Sequence, residues 1–492
     1  MFLRSSGGRF ERNGPDRRRR DPGWPDGVRS TAPRLTMLAL PGIVLLIFLV
    51  LIRPFELFEE LQTLRLLHIA MAVSVLGGVL DVVLGKNKFR LTPLTPLVVL
   101  FLIWCIVSRA RWEPGAAVSV AIPLLICVVI SLAMMHGACT PRGLHVIAGT
   151  VLGCAVFLAF VGVHQGLSPK QCLVIDETKD SEHAEIDGRP CNSTYECYST
   201  VDYDWTKRYF CERVGLFDTT SISNGRVRWV GKLHDPNELG LTVACALPIA
   251  YAQRREKKSL MTTLVAALAT LLILGCVVFT GSRGAQIVVL AVFGTYFLVR
   301  AGPKGLILAG LMAVPALIYG GRGGGEASES TVRRFECWEA GSQMALHFPV
   351  FGVGHGNFLE HHNQTAHSAY LLAGGETGMV GLCLFLGIVW LGVKIPFTAL
   401  KRYRDAGDPR RAWAVALLAL MSGLSIGILF LSFTYHEVFW LFVGVSGAYY
   451  SVLTRADPGF EMKVGIKDAV LVVTVAVAMV LVFYLYSRRA LG

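Results

Sequence analysis

Charge is scarce in this chain. Asp, Glu, Lys and Arg make up 17% of 492 residues, while hydrophobic residues make up 53%. A soluble globular domain carries about a quarter charged residues, so that class is excluded. The twelve cysteines contain no Cys-x-x-Cys pair, which argues against a zinc knuckle. The chain is basic, with 47 Lys and Arg against 35 Asp and Glu, but no nucleic-acid motif accompanies that charge. Many of the arginines fall in the N-terminal tail and in short loops, where they set membrane orientation instead. What remains abundant is apolar sequence, in runs that approach the roughly 20 residues a bilayer crossing needs. The expected fold is all-α: a polytopic integral membrane helix bundle of about 12–13 transmembrane helices, with two long outer loops.

Residues 1–34, with Arg17, Arg18, Arg19 and Arg20, read as a disordered basic cytoplasmic tail. Residues 35–163 hold the N-terminal transmembrane helices, the first (35–52) an uncleaved anchor because no small-residue cleavage site follows it. Hydropathy then stops over 164–235, an outer loop holding Cys172, Cys191, Cys197 and Cys211. Four cysteines in an oxidising compartment suggest two disulfides, with three pairings open; free thiols or a metal site are the alternatives. Residues 236–319 return to transmembrane helices around an outer TGSRGA turn at 280–285, and 306–319 is one of these spans. Residues 320–369 form the second long outer loop, read as catalytic, and 370–486 are the C-terminal transmembrane helices. Arg254, Arg255, Lys257 and Lys258 mark the inner side most strongly. Thirteen spans place Arg488 and Arg489 outside, against the positive-inside rule, unless one weak span is miscounted.

Three polar clusters fall on the outer side: 225–240 with Arg228, the TGSRGA turn with Arg283, and 331–356 with Arg334. An arginine at the membrane surface is costly unless it meets an anion. Guanidinium groups bind phosphate through two parallel hydrogen bonds and stay charged at any cellular pH. Gly352, Gly354 and Gly356 either let backbone approach a ligand or simply break a helix. His355, His361, His362 and His367 crowd one window, but no acidic partner stands at ligand spacing. His367 enters a span, where a neutral imidazole suits general-base work; a capping or interfacial histidine is the alternative. Glu376 lies half a turn out of phase with it, so a pair requires Gly374, Gly375 or Gly378 to break the helix.

The chain resembles the O-antigen ligase and O-antigen polymerase superfamily of bacterial envelope-glycan enzymes. The resemblance runs from about Arg228 to Gly381: Arg228, Gly231, Pro236 and Asn237; the turn Gly281–Gly284; Arg334 and Trp338; Gly352, Gly354 and Gly356; then His367, Tyr370, Leu371, Glu376 and Gly378. Arg53-Pro54 matches more loosely. Asp235 and Ser368 stand where asparagine is frequent in the family, and the 164–235 loop is longer than expected.

The resemblance implies transfer of a glycan from undecaprenyl diphosphate to an acceptor hydroxyl at the periplasmic face of the bacterial inner membrane. It implies no cofactor and no metal. It assigns His367, Arg283 and Arg228 to catalysis, and Arg334, Gly354, Gly356, Glu376 and Asn237 to substrate binding. The partners are the lipid-linked donor, a glycan or lipid A-core acceptor, the bilayer and envelope-glycan assembly proteins; nucleic acid is not among them. Ligase and polymerase are not separated. A transporter or flippase is the competing class, but it calls for ionisable residues at the bilayer midplane, whereas the polar clusters here gather at one face. A membrane anchor for a partner-binding cysteine loop is a third reading, for which thirteen spans are excessive.

Overall fold

The computed structural model describes residues 37–176, 185–199, 206–223, 225–256, 259–305, 307, 310 and 325–491. The basic tail and most of the expected span 306–319 lie outside the described residues.

The apolar runs form helices where hydropathy places them. In order these are α1 (Ala39–Leu51), α2 (Leu66–Val83), α3 (Leu94–Trp112), α4 (Ala117–Gly137) and α5 (Pro141–Leu167). A strand insert follows: β1 (Lys170–Asp176), β2 (Glu185–Pro190), the short helix α6 (Thr194–Ser199) and β3 (Lys207–Arg213). Then come α7 (Pro236–Glu256), α8 (Leu260–Thr280), α9 (Arg283–Ala301), α10 (Gly325–His347), α11 (Phe358–His361), α12 (Ala369–Arg402), α13 (Pro409–Gly427), α14 (Glu437–Ala456) and α15 (Ile466–Leu491). Ten segments among the described residues are long and apolar enough to cross a membrane. α7 and α13, of 21 and 19 residues, have charged ends and buried middles, and they pack together at the bundle centre. The chain is a multi-pass, all-α membrane bundle.

Buried polar groups tie the helices together. Both oxygens of the Asp81 carboxylate accept the first N–H groups of α1, from Leu38 at 2.9 Å and Ala39 at 3.0 Å. Those donors have no partner within their own helix, and the apolar surroundings offer no water.

The insert is a three-stranded antiparallel sheet in the order β2-β1-β3. Cys172 stands opposite Cys211 in register. Disulfides join Cys172 to Cys197 and Cys191 to Cys211, so two bridges form from the four expected cysteines. Among the described residues, the group of potential metal ligands close enough to share an ion is Cys172, Cys191 and Cys197, whose sulfurs are taken by these bridges.

Among its described residues, the expected catalytic loop 320–369 holds the helices α10 and α11. α10 has a buried stripe at Cys337, Trp338, Gly341, Ser342, Met344 and Ala345, a helical period that its low hydropathy obscures. α15 starts beside the far half of α12, where Asp468 accepts from Trp390 Nε1 at 2.8 Å and pairs with Lys394. It ends beside α10, with Tyr486 against Phe335 and Phe483 against Trp338, ring centroids 5.4 and 4.8 Å apart. Arg488 and Arg489 therefore lie at the α10 end of the bundle.

Candidate active site

The site is organised by an interruption in α12. Gly378 sits at φ 69° and ψ −174° inside that helix. A Cβ there would lie 2.3 Å from the Val350 carbonyl oxygen, so no other residue fits without movement. The interruption leaves buried carbonyls that need donors. Val353 N–H donates to Gly375 O and Gly354 N–H to Glu376 O, both at 2.9 Å. Trp104 Nε1 donates to Thr377 O at 2.8 Å. Ser108 Oγ lies 2.6 Å from Phe351 O and 2.9 Å from Glu376 O. In return Met379 N–H donates to Pro349 O at 2.7 Å. The glycine loop and the broken helix thus satisfy one another.

This settles part of the glycine question. Gly352 has φ 65°, and a Cβ on it would meet the Glu376 carbonyl carbon at 2.3 Å. The backbone it approaches is the protein's own. Gly356, also at positive φ, has open space where a side chain would stand. A Cβ at Gly354 would press on Asn357 and Trp112.

Glu376 is turned into the bundle. Its Oε2 stands 3.3 Å from His355 Nδ1, and its Oε1 accepts from Phe358 N–H at 3.3 Å. Both side chains are buried, and the Tyr435 ring lies edge-on to His355 with centroids 4.2 Å apart. Glu376 is paired with His355 rather than His367 because the break falls after it. From Ala369 to Thr377 the helix is unbroken, which keeps Glu376 out of phase with the helix entry.

His367 precedes α12 with φ 46°, a left-handed conformation uncommon for a side-chain-bearing residue. The flanking backbone is held: Ala369 N–H donates to Ile428 O at 2.9 Å and Thr434 Oγ1 to Ala369 O at 2.6 Å. Burial and then the Arg334 charge lower the imidazole pKa, with Asp235 opposing. A neutral ring near pH 7 can accept a proton.

The arginines arrive from three directions. Arg228 is clamped: its Nε donates to Thr220 O at 2.8 Å, its Nη2 to Thr220 Oγ1 at 3.1 Å and its N–H to Gln165 Oε1 at 2.9 Å. Burial lowers its pKa from the usual arginine value, and Glu212 and Asp235 oppose that shift. Arg283 is the first residue of α9 and is exposed; the cap of that helix is Ser282, whose Oγ accepts from Ala285 N–H at 3.1 Å. Beside it, Gly284 faces Phe430, whose ring lies 6.4 Å from Trp338 on α10, one turn beyond Arg334. Asn237 Oδ1 accepts from Arg226 Nη2 at 3.2 Å, and Arg226 Nε donates to Thr280 O at 2.8 Å.

Sequence reasoning missed Arg226, Thr220 and Gln165, and it named His355 without its partner Glu376. Arg226 had a signal, its period-2 spacing from Arg228 in an extended stretch. The others act through contacts that no local pattern announces. His361 and His362 separate: His361 Nδ1 faces Asn357 O at 3.1 Å, while His362 Nδ1 lies 3.9 Å from Cys337 Sγ.

A comparison with curated proteins gives no match. Residues 268–386 match the O-antigen ligase family model, a segment that includes Arg283, Arg334, the glycine loop, His367 and Glu376. That match covers the segment that builds most of this site and makes it similar to the O-antigen ligase family.

Proposed function

We propose that the chain transfers a glycan from a polyprenyl-diphosphate carrier, undecaprenyl diphosphate by family resemblance, to an acceptor hydroxyl at the outward face of the bacterial inner membrane. His367 takes the proton from the acceptor hydroxyl. The freed oxygen attacks the anomeric carbon, and the bond from that carbon to the diphosphate breaks. The lipid diphosphate leaves with the electron pair. Arg228 and Arg283, with Arg334 beside His367, hold the diphosphate and stabilise the charge that grows on it. Holding two lipid-linked substrates in line supplies much of the rate. A direct displacement inverts the anomeric centre.

The observation that supports this reading is the clamp on Arg228, whose Nε and Nη2 are both held by Thr220, with His367 fixed at the entry of α12 at φ 46°. A fixed cation and an imidazole are the two groups the reaction needs.

Glycan profiling of cells carrying Arg283→Ala or His367→Ala, with protein level checked, tests the proposal. Accumulation of short lipid-linked repeats means polymerase. Full-length polymer retained on its carrier and missing from the lipid A core means ligase. Unchanged glycan in both variants removes the transferase reading.

A further inference from the structure

The strand insert is physically joined to Arg228. β3 ends at Cys211, Glu212 and Arg213. Cys211 is bridged to Cys191, and its partner in register, Cys172, is bridged to Cys197. From this disulfide-tied strand a network runs down the following segment. The Glu212 carboxylate accepts from Ser221 Oγ at 2.5 Å and from Gly225 N–H at 2.9 Å. Ser221 Oγ in turn accepts from Arg213 N–H at 2.8 Å, and Ser221 N–H donates to Arg213 O at 3.0 Å. Val214 bridges Thr220, and Ile222 bridges Arg226. The Arg213 guanidinium donates to Ser168 O at the end of α5.

Thr220 lies in the middle of this network and takes the Nε and Nη2 of Arg228 with its carbonyl and hydroxyl. A guanidinium held along that edge cannot rotate freely, and its Nη1 edge is presented in a fixed direction. Gln165, fully buried on α5, holds the backbone of Arg228 and also donates from Nε2 to Thr219 Oγ1 at 3.0 Å. The arginine is thus aimed by the insert and by α5 together.

We infer that Thr220 is a positioning residue for Arg228, and that the disulfide-tied insert keeps Thr220 in place, so that the thiol state of the insert governs diphosphate binding. The inference rests on the proposed role of Arg228 in holding the donor diphosphate. A hydrogen-bond donor aimed in advance binds without losing the freedom an unrestrained arginine would have to give up. Losing the clamp should therefore weaken donor binding while leaving the acceptor side alone.

The experiment uses the full chain in detergent or nanodiscs, lipid-linked glycan extracted from the producing cells as donor, and thiol labelling to confirm both disulfides. Thr220→Val keeps the carbonyl and the side-chain shape but removes the hydroxyl acceptor. It should raise the donor KM about fivefold, the worth of one hydrogen bond, with the acceptor KM unchanged. Thr220→Ser should retain most of the wild-type donor KM. Reducing the wild-type insert should raise the donor KM by at least as much, and reoxidation should restore it.

A wild-type donor KM in Thr220→Val overturns the positioning role. So does a Thr220→Val protein that loses its disulfides, or loses both KM values alike, since either marks a structural defect. A reduced insert with full donor affinity overturns the thiol dependence. Arg228→Ala, measured alongside, separates the two levels: if it retains wild-type transfer, the role of Arg228 itself falls, whereas if it is impaired while Thr220→Val is not, only the present inference falls.

Discussion

Glu376 and His355 face each other across 3.3 Å in the interior of the bundle, both under one-tenth exposed, and together they fasten the glycine loop to the first turns of α12. Glu376→Ala leaves the Phe358 N–H without its acceptor and removes the carboxylate that faces His355. A buried group stripped of its partner costs roughly 1–3 kcal/mol. The variant should melt several degrees lower in a detergent thermal-shift assay, whatever the substrate. An unchanged melting temperature would argue that the pair does not brace the loop.

His367 should set the acid limb of the pH–rate profile. Burial and Arg334 lower its pKa below the ordinary 6.5, so the ring is neutral at pH 7. As pH falls through the lowered value the ring protonates and can no longer accept a proton. Transfer should therefore hold through pH 6.5 and fall only below it. His367→Ala should lose on the order of 10²–10⁴-fold at neutral pH and flatten that limb. A wild-type limb centred above 6.5 would contradict a depressed imidazole.

Arg283→Lys keeps the charge but not the planar fork. A lysine cannot match two phosphate oxygens at once. The donor KM should rise about tenfold while the purified protein keeps its melting temperature, since Arg283 is exposed at the start of α9. A variant with wild-type kinetics would place the diphosphate elsewhere.

The expectation of metal independence has one direct challenge in the sequence. Asp202-Tyr203-Asp204 is an Asp-x-Asp triplet in the insert, outside the described residues. Exhaustive chelation should leave transfer unchanged, as should Asp202→Asn with Asp204→Asn. Loss of activity restored by a divalent cation would overturn the metal-free mechanism.

The spans were legible because a bilayer demands about 20 apolar residues, and that demand is written directly in composition. The helix α10 was not, since its buried stripe at Trp338, Met344 and Ala345 is diluted by Glu336, Glu339 and Gln343 on the other faces. His367, Arg283 and Arg228 stood out as polar residues at span ends. Their supports did not. Thr220 holds Arg228 across eight residues of turn, and Gln165 reaches it from 63 residues away. The glycine cluster announced a helix break, but its location at Gly378 depends on Val350 lying against it, a tertiary fact.

The break in α12 also has a consequence for biosynthesis. The donors that satisfy its freed carbonyls include Ser108 and Trp104, which are separated from their acceptors by 268 and 273 residues of chain. A nascent protein thus carries the glycine loop out of the translocon with its partners already inserted and waiting in α3. The reverse does not hold for a fragment: a chain begun after α3 would bring an unsatisfied kink into the bilayer and have nothing to close it. The broken helix is completed from two distant stretches of the polypeptide, and it is satisfied only when α12 docks on α3.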